Sequence, residues 1–140
     1  MYIDKNLVVS GTRSTAAVWT GQTIAATCLS DYSVDLDAAK NLSKGKQLYM
    51  VVIINTVFAT STSVNFQVVT ATDAALTGTL TVQMETGAIP YASLTKNRAP
   101  IVIPIGSVLG TEQRYLGLKY TVAGASGTGK VIAFVGFDIP

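Results

Sequence analysis

Leu48-Tyr-Met-Val-Val-Ile-Ile-Asn-Thr-Val-Phe58 is the stretch on which the fold of this chain turns. Val51, Val52, Ile53 and Ile54 are four consecutive β-branched residues, which lose side-chain freedom in a helix and pack well on a pleated sheet. No polar residue interrupts the run from Leu48 to Ile54, so a strand here has both faces covered and belongs at the centre of a layered β structure. Those seven residues are also the longest apolar run in the chain, far short of the roughly 20 that a membrane-spanning helix requires.

Outward from this strand the pattern becomes alternation. Val64-Asn-Phe-Gln-Val68 and Leu80-Thr-Val-Gln-Met84 switch between apolar and polar at period two, which predicts Val64, Phe66, Val68 and Leu80, Val82, Met84 pointing inward. Leu116-Gly-Leu-Lys-Tyr-Thr-Val122 repeats the pattern, and residues 131–137 make a further strand. Weaker strands are expected at 6–9, 23–29, 32–36 and 101–105. Pro100 and Pro104 around the last of these place it at a sheet edge or interrupt it, because proline donates no ladder hydrogen bond. Helix is expected only as a turn or two, at 37–42 or 73–76.

Glycine- and serine-rich separators stand between these segments, at 44–46, 59–63, 72–78, 106–110 and 123–129. About eight antiparallel strands in 140 residues predict one all-β domain, an antiparallel two-sheet sandwich over 1–140. A jelly roll ranks above an immunoglobulin-like sandwich, which would show a Cys, Trp, Cys spacing that is missing here. Composition agrees: 16 Val, 10 Ile and 18 Thr total 44 of the 140 residues, and 49% hydrophobic against 13% charged is the composition of a folded chain.

The residue inventory narrows the function. The chain has no histidine, which removes His metal sites, His general bases and Ser-His or Cys-His nucleophile pairs. A net charge of +2 is too small for a surface that neutralises phosphates, so nucleic acid is not an expected partner. No secretory signal is read near Asp4 and Lys5, and no membrane association is expected. The lone Cys28 fits synthesis in a reducing cytoplasm.

Four constellations offer residue types that could carry chemistry. Gly124-Ala-Ser-Gly-Thr-Gly-Lys130 matches the first part of a phosphate-cradling loop, but Val131 stands where Ser or Thr would hold magnesium and a strand follows instead of a helix. A hairpin loop that binds no nucleotide is predicted. Asp31, Asp35 and Asp37 lie within seven residues and could offer oxygen ligands to calcium, yet no glycine-bearing binding loop follows and solvated carboxylates are expected. Ser43-Lys44 and Cys28 lack partners as nucleophiles, and Cys28 sits in an apolar stretch where cysteine behaves as a small hydrophobe. Trp19 with Tyr2, Tyr32, Tyr49, Tyr91, Tyr115 and Tyr120 could form a sugar-stacking platform, or serve core margins and interfaces. No enzyme, cofactor or metal site is therefore expected.

Two groups are expected to make contacts. Residues 1–11, with Tyr2, Ile3 and Leu7, form an apolar N-terminal arm that needs a surface to tie it down, and removal of 1–8 is expected to leave the sandwich folded. Lys96 and Arg98, with Arg114, form a modest basic group whose plain alternative is a solvated loop.

Several blocks in a fixed order resemble one family. They are Met1-Tyr-Ile-Asp-Lys-Asn-Leu7; Val34-Asp-Leu-Asp-Ala-Ala-Lys40 followed by Gly45-Lys-Gln-Leu-Tyr-Met-Val-Val52; Val68-Val-Thr-Ala-Thr-Asp-Ala-Ala-Leu76; Ala88-Ile-Pro-Tyr-Ala-Ser-Leu94; and Arg114-Tyr-Leu-Gly-Leu-Lys-Tyr-Thr-Val-Ala-Gly124. Together they resemble the Bbp16-type capsid cement, or decoration, proteins of tailed bacteriophages, and residues 59–63 and 86–88 depart from that likeness. The resemblance implies a jelly roll, made in the host bacterial cytoplasm, that sits on the outer surface of an HK97-like head in the virion. There it would bridge neighbouring major capsid subunits and associate with itself, as a homodimer ahead of a trimer. It implies no catalytic residues. The alternatives from the residues alone are a carbohydrate-binding or adhesion β-sandwich, which would expose a row of aromatics over one sheet, and, least favoured, a small hydrolase.

Overall fold

The computed structural model describes residues 3–13, 18–125 and 127–137. Ten strands are formed: β1 (Val8–Ser10), β2 (Gln22–Thr23), β3 (Cys28–Leu29), β4 (Val34–Asp35), β5 (Leu48–Thr56), β6 (Ser61–Ala71), β7 (Leu80–Pro90), β8 (Ile101–Ile105), β9 (Tyr115–Gly124) and β10 (Lys130–Gly136). They pair antiparallel throughout and make two sheets, one in the order β1-β10-β5-β8 with β2 also on β10, the other β3-β9-β6-β7 with β4 also on β9. β1 and β2 lie along one edge of β10, and β3 and β4 along one edge of β9, so each couple is one interrupted strand. Eight strand positions result, and their order in the two sheets is that of a jelly roll.

β5 runs between β10 and β8 and is covered on both faces, which is why its sequence does not alternate. Met50, Val52 and Ile54 enter the main core with Val64, Phe66, Val68, Leu116, Leu118, Tyr120, Val131, Ala133 and Val135, so both sheets share one apolar interior. Val51, on the opposite face, joins Val8 and Phe134 in a second cluster over which Ile3 and Trp19 pack. β8 is the edge strand that its prolines required, with Pro104 exposed opposite Tyr49. The two sheets are joined by a hydrogen bond between Ser10 Oγ and Tyr120 Oη at 2.5 Å, both fully buried.

Several expectations are corrected. The inward set Leu80, Val82 and Met84 does not hold: Val82 and Met84 are 37% and 38% exposed, Leu80 is half-buried, and Gln83 between them is 5% exposed. β7 is the edge strand of its sheet, and a β-bulge breaks its alternation. Val68 faces Met84 while the next residue, Val69, faces Val82, so Gln83 is the extra residue and the alternation slips across it. A second irregularity puts Thr86 and Gly87 against one residue of β6, with Gly87 at φ 76°.

The glycine-rich segment before Lys130 is not a hairpin, because β9 and β10 lie in different sheets and the segment crosses between them. Among the described residues no α-helix forms at 37–42 or 73–76; the helical turns are 3-10, at Lys5–Leu7 and Tyr91–Ser93. The expected strands at 23–29 and 32–36 contract to two-residue ladders, and the one at 6–9 shifts to 8–10 behind the first 3-10 turn. Val8–Ser10 are built into the first sheet: Val8 and Val9 are fully buried, and Val8 pairs with Phe134. Residues 1–8 thus include Val8 of the second cluster and Leu7 at the margin of the main core.

Candidate functional site

The register fixes which loops share an end of the sandwich. β5 and β9 start, and β8 and β10 finish, at one end, which gathers the loops 36–47, 72–79 and 106–114. The loops 24–27, 57–60, 91–100 and 125–129 meet at the other.

At the second end the glycine-rich segment serves packing. The ring of Phe58, 1% exposed, lies flat against Gly129, so that a Cβ there would overlap ring carbons. Gly124, at φ 89°, stands against Thr62, where a Cβ would approach Thr62 N at 2.7 Å. Gly127 N donates to Ala25 O at 2.9 Å, and Gly129 O accepts from Ile24 N at 2.8 Å. Lys130 is the first residue of β10, paired with Thr23 and Thr56. These two backbone groups, on buried Gly127 and Gly129, are taken up by Ala25 and Ile24, whereas Gly124, Ala125 and Thr128 are exposed.

The carboxylates of Asp31 and Asp35 are engaged separately. Asp35 takes both Arg114 Nε and Nη2, at 2.7 and 2.8 Å, and accepts from Asp37 N at 2.8 Å. The Arg114 bond above all, then the Asp37 amide, holds its carboxyl down to about 2. Asp31 Oδ2 accepts from Gly11 N at 3.4 Å. Ser43 Oγ accepts from Ser107 N at 2.9 Å, tying two loops together. Cys28 is half-buried beside the core, and burial, then the Asp31 carboxylate, pushes its thiol up.

The aromatics do not form one row. Tyr120 is wholly inside the core, edge-on to Phe66 with ring centroids 5.7 Å apart, and burial drives its phenol far above the ordinary range. Tyr49 and Trp19 are half-buried over the outer face of the first sheet. Tyr32 lies under the Arg13 guanidinium, Tyr115 beside Arg114, and Tyr91 in the turn after β7.

Of the expected contact residues, Tyr2 lies outside the described residues. Ile3 is half-buried against the Val8, Val51 and Phe134 cluster, and Leu7 against the main core. Lys96 and Arg98 are exposed in the 91–100 loop, with Arg98 Nη1 donating to Ser93 O at 2.9 Å. Ile3 and Leu7 precede β1 near the end of β10, while Lys96 and Arg98 follow β7 at the opposite end, so the structure does not bring them together.

A feature the sequence reading missed stands at the first end. Buried Gln83 donates through Nε2 to Thr70 Oγ1 at 2.9 Å and to Thr111 O at 3.1 Å, and accepts through Oε1 from Val108 N at 2.7 Å. The turn it holds is closed by Thr111 N to Val108 O at 3.1 Å and by Gly110 N to Glu112 Oε2 at 2.7 Å. On that turn Val108 and Leu109 are 52% and 74% exposed. The only sequence signal was Val-Leu in a glycine-bounded loop. The role of Gln83 was invisible because a glutamine between two apolar residues reads as solvent-facing.

The outer faces of the two sheets also differ. That of the second carries Asn65 and Gln67 both donating to Glu85 Oε2, at 2.9 and 2.7 Å, and Thr121 Oγ1 donating to Gln67 at 2.9 Å, a polar ladder in contrast to the apolar cluster outside the first. An antiparallel jelly roll with its distinguishing features on its loops and faces is thus the class of protein defined. Residues 18–135 match the Bbp16 family, and the chain belongs to that family. The match begins just before β2 and ends within β10, and so takes in both sheets. No curated protein matches the chain.

Proposed function

We propose that this protein is a capsid cement protein, a structural component of the virion that binds the outer surface of an HK97-like phage head, bridges neighbouring major capsid subunits and stabilises the shell. The observation that carries this reading is membership of the Bbp16 family across both sheets, taken with the whole-chain resemblance to Bbp16-type cement proteins. The physical character of the molecule supports it. Ser43 and Asp35 tie loops and strands together, and a sandwich with one shared core is a rigid body that can transmit load between two contacts. Each self-associated unit would touch more than one capsid subunit, so that one contact raises the effective concentration at the next and avidity exceeds single-contact affinity by roughly 10² to 10⁴. The partners in this reading are the major capsid protein and a second copy, without nucleic acid or membrane.

The test is co-sedimentation of the purified protein with expanded heads, unexpanded heads and free capsomers at equal subunit concentration. Binding to assembled heads far stronger than to free capsomers is expected, since a junction between subunits exists only after assembly. Equal binding to all three rules out junction recognition, and binding inhibited by glycans would indicate an adhesion module.

A further inference from the structure

The turn held by Gln83 joins three properties that an ordinary surface loop does not combine. Its two apolar side chains, Val108 and Leu109, are more than half exposed. Its backbone is fixed from beneath by a side chain only 5% exposed, with bonds to both sides of the turn. Met84, 38% exposed and adjacent to Gly106, extends the apolar surface onto β7. Holding large apolar groups rigidly in water confers nothing on the monomer, whereas a preorganised group binds without the entropy cost of ordering it.

The form of the partner follows from the edge and the charge. β7 is an edge strand, but its two bulges distort the ladder, which disfavours addition of a partner strand and leaves side-chain insertion. Beside the turn, the loop tied to it by Ser43 and Ser107 carries exposed Lys44 and Lys46, neither in an ion pair among the described residues; Lys46 lies over the Phe137 ring at 5.8 Å. A twofold contact between two copies with its axis through Lys44 and Lys46 would set these lysines against their equivalents, because residues on the axis of an isologous interface meet themselves. The complement is a different molecule.

We infer that Val108 and Leu109, with Met84 beside them and Lys44 and Lys46 at the rim, form the knob that inserts into an apolar pocket with an acidic rim on the major capsid subunit. This rests on the proposed function and names its contact surface. Self-association then uses another face.

The experiment places a photo-crosslinking amino acid at position 109 and, separately, makes Leu109→Ser and Lys44→Glu/Lys46→Glu, with Lys96→Glu/Arg98→Glu at the opposite end as the comparison. Unchanged thermal midpoints are expected, because none of these side chains enters the core. Leu109→Ser should weaken head binding by roughly 10- to 100-fold, the range of a central apolar contact. The lysine pair should weaken it more at low salt than at high salt. The crosslink should fall on a capsid-subunit peptide containing Asp or Glu. Wild-type affinity in Leu109→Ser, or a crosslink to a second copy, overturns the inference while leaving the cement reading intact. Failure of the unaltered protein to bind heads overturns both.

Discussion

Replacing Gly129 with alanine sets a methyl group into the ring of Phe58, which is 1% exposed. Gly129 is not in the left-handed region, so alanine can adopt its backbone conformation and the effect isolates the steric contact. Overfilling a packed site costs about 1–3 kcal/mol, and full displacement of the ring approaches the about 3–5 kcal/mol of a Phe→Ala change. Alanine also lowers the entropy of the unfolded chain, which offsets about 0.4–1 kcal/mol. A net loss of about 2–4 kcal/mol is expected, seen as a fall in the thermal midpoint of roughly 8–16 °C for a domain of this size. The decisive assay is a double-mutant cycle by chemical denaturation with Phe58→Ala. Without the ring the methyl has room, so Gly129→Ala should then cost little or fill part of the cavity. A single-mutant cost under about 1 kcal/mol, or the same cost with and without the ring, would refute the packing role of this glycine.

At Gly117 an alanine would overlap buried Leu76 and approach Ser30 Oγ at 2.9 Å; a loss of about 1–3 kcal/mol is expected in urea unfolding. Tyr120→Phe leaves the Ser10 hydroxyl buried without its partner across the two sheets and should cost about 1–3 kcal/mol by the same measurement. Removing residues 1–8 takes away Leu7 and Val8 and should lower the thermal midpoint by several degrees, whereas an unchanged midpoint would show that the segment is a free arm. Asp35 should titrate near about 2 by carboxyl-carbon NMR and move up toward 3.8 in Arg114→Gln. Because its folded pKa is depressed, the stabilising contribution is present above the ordinary carboxylate value and is lost as pH falls through about 2.

The sequence by itself determined the fold class and most of the core. Wherever residues alternate strictly, as at Val64, Phe66 and Val68, or run apolar without a break, as from Leu48 to Ile54, burial follows from period two and from coverage on both faces. Pro104 announced its edge because a missing donor cannot be placed in a central strand. What only the tertiary structure decided depends on register and on neighbours remote in the chain. The bulge at Gln83 arises from how β7 meets β6, and it breaks the alternation between Val82 and Met84 and buries an amide that then fixes a turn 25 residues away. The glycines before Lys130 match a nucleotide motif by spacing, yet their reason is the ring of Phe58, about 70 residues earlier, lying where a Cβ would be. Local pattern reports which face is apolar; only the folded chain reports which side chain from elsewhere occupies the space against it.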